Sequence, residues 1–249
     1  MDTYGKLCTE FYDLSKPVAP TDALEFYLRH FNNVEGPVLE PMCGSGRFLI
    51  PFLEKSVDID GADASTYMLQ ACYSHCEEKG LHPKLYQQLL QELDLPRQYG
   101  YIFIPAGSFG LIIDKKDAEE SLRSLHRHLS PGGKLIIEIE TTLAQPEAPG
   151  KWHEWRLTRP DGTELVFSAL PMYDSKSQIQ EDIHRYQLFN NGQLIETEVE
   201  QLSLRLYEPA QFQRLLEDAA FTNIQMIRAY EGTKISGGEK VVIFQCQKI

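Results

Sequence analysis

Apolar and polar positions in this chain follow two periods, one helical and one strand-like. Leu24, Tyr27, Leu28 and Phe31 recur at helical spacing behind Pro20-Thr21-Asp22, which predicts a helix over 21–31; another short helix is predicted over 3–14. From residue 37 onward, short apolar runs alternate with longer helical patterns. Strands are predicted over 37–42, 57–62, 84–88, 101–105 and 134–141, and helices over 46–54, 65–79 and 117–129. Ser65 stands at an N-cap position, with Met68 and Leu69 on the first turns that follow. Strands alternating with helices argue for a parallel sheet covered on both faces. A further helix over 209–219 has Pro209 at its start and Phe212, Leu215 and Leu216 inside. The last two apolar runs, 223–230 and 240–248, join through Gly232 and Gly237-Gly238 as an antiparallel pair.

Residues 151–206 break this alternation. Pro160-Asp161-Gly162 and Asn190-Asn191-Gly192 are hairpin turn signals, flanked by alternating stretches such as Ile183-His184-Arg185-Tyr186-Gln187-Leu188-Phe189. Four antiparallel strands are predicted there, inserted between the fifth strand and the last helix.

Composition narrows the class. At 249 residues, 42% hydrophobic and 24% charged, the chain reads as a soluble globular protein of one domain, or one domain with an insertion. No apolar run reaches membrane-spanning length, and Met1-Asp2-Thr3-Tyr4 lacks the basic-then-apolar start of a signal peptide. Cys8, Cys43, Cys72, Cys76 and Cys246 are odd in number and form no CxxC, so neither a disulfide framework nor a metal site is expected. A cytoplasmic location follows as the expectation. The net charge of −12, without a dense basic run, opposes attraction to phosphate and argues against nucleic acid as a partner.

The candidate chemistry lies in Val38-Leu39-Glu40-Pro41-Met42-Cys43-Gly44-Ser45-Gly46-Arg47-Phe48-Leu49. An apolar run ends in a carboxylate, turns through two glycines, and opens into a helix. Such a loop lets backbone N–H groups approach a nucleotide-like ligand closely. Dinucleotides and S-adenosylmethionine both use loops of this kind. The dinucleotide fingerprint needs a third small residue where the helix packs on the strand, and here Leu49 occupies that place. That conflict sets the nicotinamide-dependent oxidoreductase reading behind adenosylmethionine.

Glu-x-x-Cys-Gly-Ser-Gly after a strand resembles the first motif of class I (Rossmann-like) S-adenosylmethionine-dependent methyltransferases. Three further segments stand in the matching order. Asp58-Ile59-Asp60-Gly61-Ala62-Asp63-Ala64-Ser65 resembles the end of the second strand. Tyr101-Ile102-Phe103-Ile104-Pro105-Ala106-Gly107-Ser108-Phe109 resembles the fourth strand and the loop facing the transferred methyl. Leu129-Ser130-Pro131-Gly132-Gly133-Lys134-Leu135-Ile136-Ile137 resembles the approach to the fifth strand.

The resemblance implies an α/β fold: a Rossmann-like seven-stranded methyltransferase sheet with helices on both faces, plus an inserted small antiparallel β-sheet lid. Residues 1–150 and 207–249 would form the cofactor-binding domain, and 151–206 the lid or substrate subdomain. The cofactor would be S-adenosyl-L-methionine, leaving as S-adenosyl-L-homocysteine. The acceptor would be the N or O of a small molecule, and a homodimer through the inserted sheet is envisaged from its strand edges. A catalytically inactive cofactor- or partner-binding relative is the alternative.

Residue roles follow from the same resemblance. Cys43, Gly44, Ser45 and Gly46 approach the methionine and ribose, with Glu40 on the loop or the amino group and Arg47 toward the carboxylate. Asp63, beside Ala64, takes the ribose hydroxyls, because a carboxylate accepts two hydrogen bonds from a vicinal diol. Met68 packs on adenine, Pro105 faces the cofactor, and Tyr4 and Tyr12 resemble a tyrosine pair that closes over it. The third motif departs from the family: Gln88, Leu89 and Leu90 stand where an acid often meets adenine, leaving packing, Gln88 or Glu92 to serve. Ser108, Tyr12 and His153 are the catalytic candidates. Tyr173, Tyr186, Arg205 and Tyr207 are candidates for the pocket under the lid, while His126 and His128 read as exposed helix residues.

Overall fold

Period-two alternation puts Val38, Tyr101, Phe103 and Ile136 in one apolar layer and Leu39, Ile102, Ile104, Leu135 and Ile137 in another, on opposite faces of one sheet. The protein is seen in a computed structural model that describes residues 4–31 and 35–249. Residue 3, the expected start of the first helix, lies outside the described residues.

The elements run in this order: α1 (Lys6–Ser15), α2 (Thr21–Phe31), β1 (Val38–Pro41), α3 (Leu49–Glu54), β2 (Ile59–Asp63), α4 (Thr66–Glu78), β3 (Lys84–Gln87), β4 (Tyr99–Ile104), α5 (Lys115–His128) and β5 (Leu129–Glu140). Then come β6 (His153–Thr158), β7 (Glu164–Asp174), β8 (Ile179–Asn190), β9 (Gln193–Arg205), α6 (Pro209–Asp218), β10 (Thr222–Arg228) and β11 (Val241–Gln247). Seven strands form the main sheet in the order β10-β11-β5-β4-β1-β2-β3, and β6-β7-β8-β9 form a separate antiparallel sheet. Within the main sheet β3, β2, β1, β4 and β5 pair in parallel, while β11 runs antiparallel to both of its neighbours. Phe26 and Tyr27 of α2, Phe52 of α3 and Leu69 of α4 cover one face; Leu122 and Leu125 of α5 with Phe212 and Leu216 of α6 cover the other. This is the seven-stranded architecture with helices on both faces, plus a four-stranded antiparallel sheet.

Local chemistry explains the boundaries. The Ser65 hydroxyl accepts a hydrogen bond from the Met68 amide at 3.3 Å, capping α4 as its position implies. Asp114 caps α5 through the Lys116 and Asp117 amides, so that helix begins two residues before the apolar pattern does. The helix expected over 46–54 begins only at Leu49, because the glycine loop occupies 44–46. His128 corrects the expectation of an exposed residue: it is buried, its Nδ1 meeting the Ser124 carbonyl and its Nε2 accepting from the Leu95 amide. The last turn of α5 lies under the segment that follows β3, and the imidazole satisfies that segment's backbone. Among the described residues, no helix is long and apolar enough to cross a membrane.

The small sheet is not free-standing. Leu165, Tyr186 and Leu188 pack on Leu7 and Cys8 of α1, with Tyr4, Phe11 and Phe167 around them. The first helix therefore lies against the sheet formed from residues far along the chain.

Asp58, Asp60 and Asp63 part company in the fold. Asp60 is 1% exposed and is clamped by Arg97, whose Nε and Nη2 lie 2.8 and 2.7 Å from its two oxygens; the Tyr99 hydroxyl adds a bond at 2.8 Å. Arg97 also holds Asp58 in a two-bonded pair, which keeps that carboxyl below its ordinary value. Replacing Arg97 with Met strands the buried Asp60 charge, and urea denaturation should show a loss of about 3 kcal/mol. A loss below about 1 kcal/mol would mean that Tyr99 alone satisfies Asp60.

Candidate functional site

The chain steps from β1 to β2 to β3, then returns across β1 to place β4 on its other side. Such a reversal opens a crevice at the carboxyl ends of the two central strands. A cleft lies there, lined by Tyr4, Tyr12, Glu40, Met42, Cys43, Gly44, Arg47, Phe48, Asp63, Ala64, Ser65, Met68, Gln88, Leu89, Leu90, Gln91, Pro105, Ala106, Ser108, Leu111 and Ile112.

The floor is the loop after β1. Gly46 has a φ of +87°, and a side-chain carbon there would come 2.6 Å from Cys72 Sγ, so neither the conformation nor the space admits another residue. The loop is tied to β2 through the Asp63 carboxylate, which accepts from the Gly44 amide through Oδ2 and from the Ser65 amide through Oδ1, each at 2.8 Å. Burial raises the Asp63 carboxyl above its ordinary value, and these backbone bonds pull it back.

Glu40 at the end of β1 is 2% exposed, and its Oε2 is buried with no hydrogen-bond partner. Its carboxyl is raised well above the ordinary value, chiefly by burial, with Arg47 opposing and Asp63 adding to the rise. Arg47 Nε is likewise buried and unpaired, while its guanidinium carbon lies 5.4 Å from the Tyr12 ring and 5.3 Å from the Phe48 ring.

The roof comes from α1 and the residues before it. Tyr4 and Tyr12 meet edge to face at 6.5 Å, and the Tyr4 carbonyl accepts the Ser65 hydroxyl at 2.9 Å. Burial raises the phenols of both tyrosines above their ordinary value.

The cleft brings together Tyr4, Tyr12, Glu40, Cys43, Gly44, Arg47, Asp63, Ala64, Met68, Gln88, Leu89, Leu90, Pro105 and Ser108. Ser45 and Gly46 are not in its lining: Ser45 turns toward α4, its carbonyl 3.2 Å from His75 Nδ1, and Gly46 packs on Cys72. His153 stands exposed on β6, its ring 6.1 Å from Trp155, outside the lining. Gln88 spends its amide on the Asp94 backbone, and Glu92 is not in the lining either. Ser108 donates to the Pro105 carbonyl at 3.0 Å, closing the turn after β4. Tyr173, Tyr186, Arg205 and Tyr207 lie outside the lining; Tyr186 packs on Phe11 and Phe167 instead.

Sequence reading missed Met42, Phe48, Ala106, Leu111 and Ile112, which look like ordinary core residues in one dimension. Met42 and Ala106 have φ values of 59° and 58°, left-handed conformations that bend the chain out of β1 and β4 around the crevice. A buried acid was also missed. Glu138 of β5 is 4% exposed and accepts from Tyr27 at 3.2 Å and Tyr230 at 2.7 Å; burial raises its carboxyl.

Residues 38–133 match the family profile of a methyltransferase domain. Residues 38–133 thus carry a methyltransferase domain, set in the fold of the class I enzymes. Enzymes of this class draw the methyl group from S-adenosylmethionine, and the activity class of this chain is S-adenosylmethionine-dependent methyl transfer. The chain is 22% identical over 241 residues to "Putative methyltransferase YqeM" of Bacillus subtilis (strain 168), covering 95% of this chain and 94% of that protein. Among solved structures it resembles an S-adenosylmethionine-dependent methyltransferase from Clostridium acetobutylicum ATCC 824, with TM-score 0.80, 18% identity and 96% of each chain covered. It also resembles the sugar N-methyltransferase KedS8 from Streptoalloteichus sp ATCC 53650, with TM-score 0.78, 18% identity, and 100% of this chain and 95% of that one covered. At such identities the two structures establish the shared fold.

The residues of the cleft fit the cofactor of that class. Its methionine end carries an ammonium and a carboxylate, and the cleft holds one unpaired buried acceptor, Glu40 Oε2, and one unpaired buried donor, Arg47 Nε. An acid whose value is raised in the folded state stabilises the fold while protonated, and loses that contribution as pH climbs through the raised value. Glu40 should therefore erode the stability of the cofactor-free methyltransferase from its ordinary value of 4.5 upward. In Glu40→Gln the urea midpoint should fall less steeply with rising pH than in the wild type. Parallel profiles would remove Glu40 as the source.

Proposed function

We propose that this methyltransferase transfers a methyl group from S-adenosylmethionine to the N or O of a small-molecule acceptor, in the cytoplasm, beneath the four-stranded sheet of residues 151–206. The observation that carries the reading is the presence of two unsatisfied buried groups, Glu40 Oε2 and Arg47 Nε, in the cleft at the strand-order reversal. The likeness to a sugar N-methyltransferase supports a small polar acceptor.

When bound, the cofactor supplies a methyl group on a sulfonium, a carbon already activated for in-line displacement. The protein's work is then positioning. Glu40 receives the ammonium and Arg47 the carboxylate of the methionine end. Asp63, fixed by two backbone amides, turns its remaining lone pairs to the ribose hydroxyls. Met68, Leu89 and Leu90 give the adenine an apolar slot, which takes the place of the absent acid. Tyr4 and Tyr12 exclude water from above. Ser108 and Tyr12 border the acceptor end, where their hydroxyls orient the nucleophile's lone pair; His153, on exposed β6, takes no part.

A homodimer through the small sheet belongs to the same reading, supported by exposed Ile183, Leu194, Ile195 and Val199 on β8 and β9. Light scattering that gives a monomer at micromolar concentration would remove it.

Calorimetric titration with S-adenosylhomocysteine tests the cofactor assignment. The wild type should bind, and Asp63→Ala should weaken binding at least tenfold, about 1.4 kcal/mol, because it loses both the diol contact and the tie to Gly44. NAD should not bind. No binding of adenosylhomocysteine by folded protein would refute the cleft as the cofactor site. Binding without turnover of any labelled-methyl acceptor would favour an inactive relative.

A further inference from the structure

Helix α1 begins without the means to satisfy its own amino end. Gly5 is its N-cap and offers no side chain, and the first turn contains no acid. The missing acceptors come from the far side of the sequence. Glu198 of β9 accepts from the Leu7 amide at 3.0 Å through Oε2 and from the Cys8 amide at 2.9 Å through Oε1. Glu200, two residues on and on the same face of β9, accepts from the Gly5 amide. Glu198 is also packed flat on Gly5: a side-chain carbon there would fall 2.7–2.8 Å from its carboxylate atoms. Two carboxylates therefore sit at the positive end of α1, where negative charge is favoured.

What α1 carries makes this more than a tertiary contact. Tyr4 precedes the capped turn and Tyr12 lies two turns along it, and both line the cofactor cleft. Leu7 and Cys8 do not line the cleft; they are the buried contacts of α1 with the small sheet. The helix is thus held to β9 at its amino end and reaches the cofactor with its tyrosines. We propose that Glu198 and Glu200 are positioning residues of the cofactor site, which latch the amino end of α1 to the inserted sheet and so hold Tyr4 and Tyr12 over the bound cofactor.

The inference rests on the cleft being the S-adenosylmethionine site, and the test keeps the two apart. Titration with S-adenosylhomocysteine compares the wild type with Glu198→Ala/Glu200→Ala, Glu198→Gln, Gly5→Ala and Glu196→Ala. The double variant should bind about tenfold more weakly, the weight of one charge-assisted hydrogen bond, and Glu198→Gln, which keeps one acceptor, should fall between it and the wild type. Gly5→Ala should also weaken binding, because its methyl displaces the Glu198 carboxylate from the opposite side. Glu196→Ala should bind as the wild type does, since that acid reaches only the exposed Lys6 side chain. A folded double variant with wild-type affinity overturns the proposal, as does an equal loss in Glu196→Ala. If the double variant does not fold, hydrogen exchange on the wild type decides. Adenosylhomocysteine should slow exchange at the Leu7 and Cys8 amides, which are bonded to Glu198 and not to the ligand; unchanged exchange overturns the latch. A wild type that does not bind adenosylhomocysteine refutes the cofactor assignment itself, and the latch with it.

Discussion

The carboxylate of Asp63 is the interaction on which the rest of the site depends. A parallel sheet delivers its strand ends separately, each pointing out of the sheet with no partner of its own. Asp63 joins two of them, because one oxygen takes the Gly44 amide of the loop after β1 and the other takes the Ser65 amide at the start of α4. Ser65 in turn caps α4 and donates to the Tyr4 carbonyl, so the same short segment connects floor, wall and roof. The glycine loop keeps its shape by steric exclusion at Gly46 and by this one charged tie.

Around that tie the protein gathers acids withdrawn from water, Glu40 and Glu138 buried and Asp63 half-buried. Glu40, Asp63 and Glu138 all have their carboxyls raised, with burial the first cause in each. Glu40, whose Oε2 has no partner, is unfavourable in the empty protein and becomes favourable when a cationic or hydrogen-donating ligand arrives, because interactions in a cleft shielded from water are stronger than in water. The fold sets this arrangement against a large apolar sheet core and against polar clamps kept well apart from the cleft, such as Arg97 on Asp60.

Much of this was legible in one dimension. The period-two runs and helical patterns located the main elements, since a strand buried on both faces and an amphipathic helix leave different marks. Asn191-Gly192 and Asp161-Gly162 marked hairpins that the structure forms. Chemistry of small range was also readable: Ser65 as a cap, and the two glycines as a loop. Long-range partnership was not. Asp63 could be singled out from Asp58 and Asp60, but nothing in the sequence showed that Arg97 clamps the other two or that Asp63 is tied to Gly44. His128 reads as surface until the segment beneath it is known. Apolar cleft residues such as Ala106 and Ile112 are indistinguishable from core, because what sets them apart is the backbone turn that aims them. His153 was chosen for its residue type, and residue type carries no information about where a strand lies relative to a cleft.

The attachment of α1 to β9 also has a temporal side. Leu7 and Glu198 are separated by 191 positions. A ribosome adding about 5–20 residues per second needs roughly 10–40 s to cover that distance. Throughout that interval the segment of the first helix lacks the sheet that packs on Leu7 and Phe11, and water takes the place of the carboxylates that accept its leading amides. Until β9 is made, the amphipathic face of this segment has no sheet to cover it. The roof of the cleft is made well before the strand that seats it.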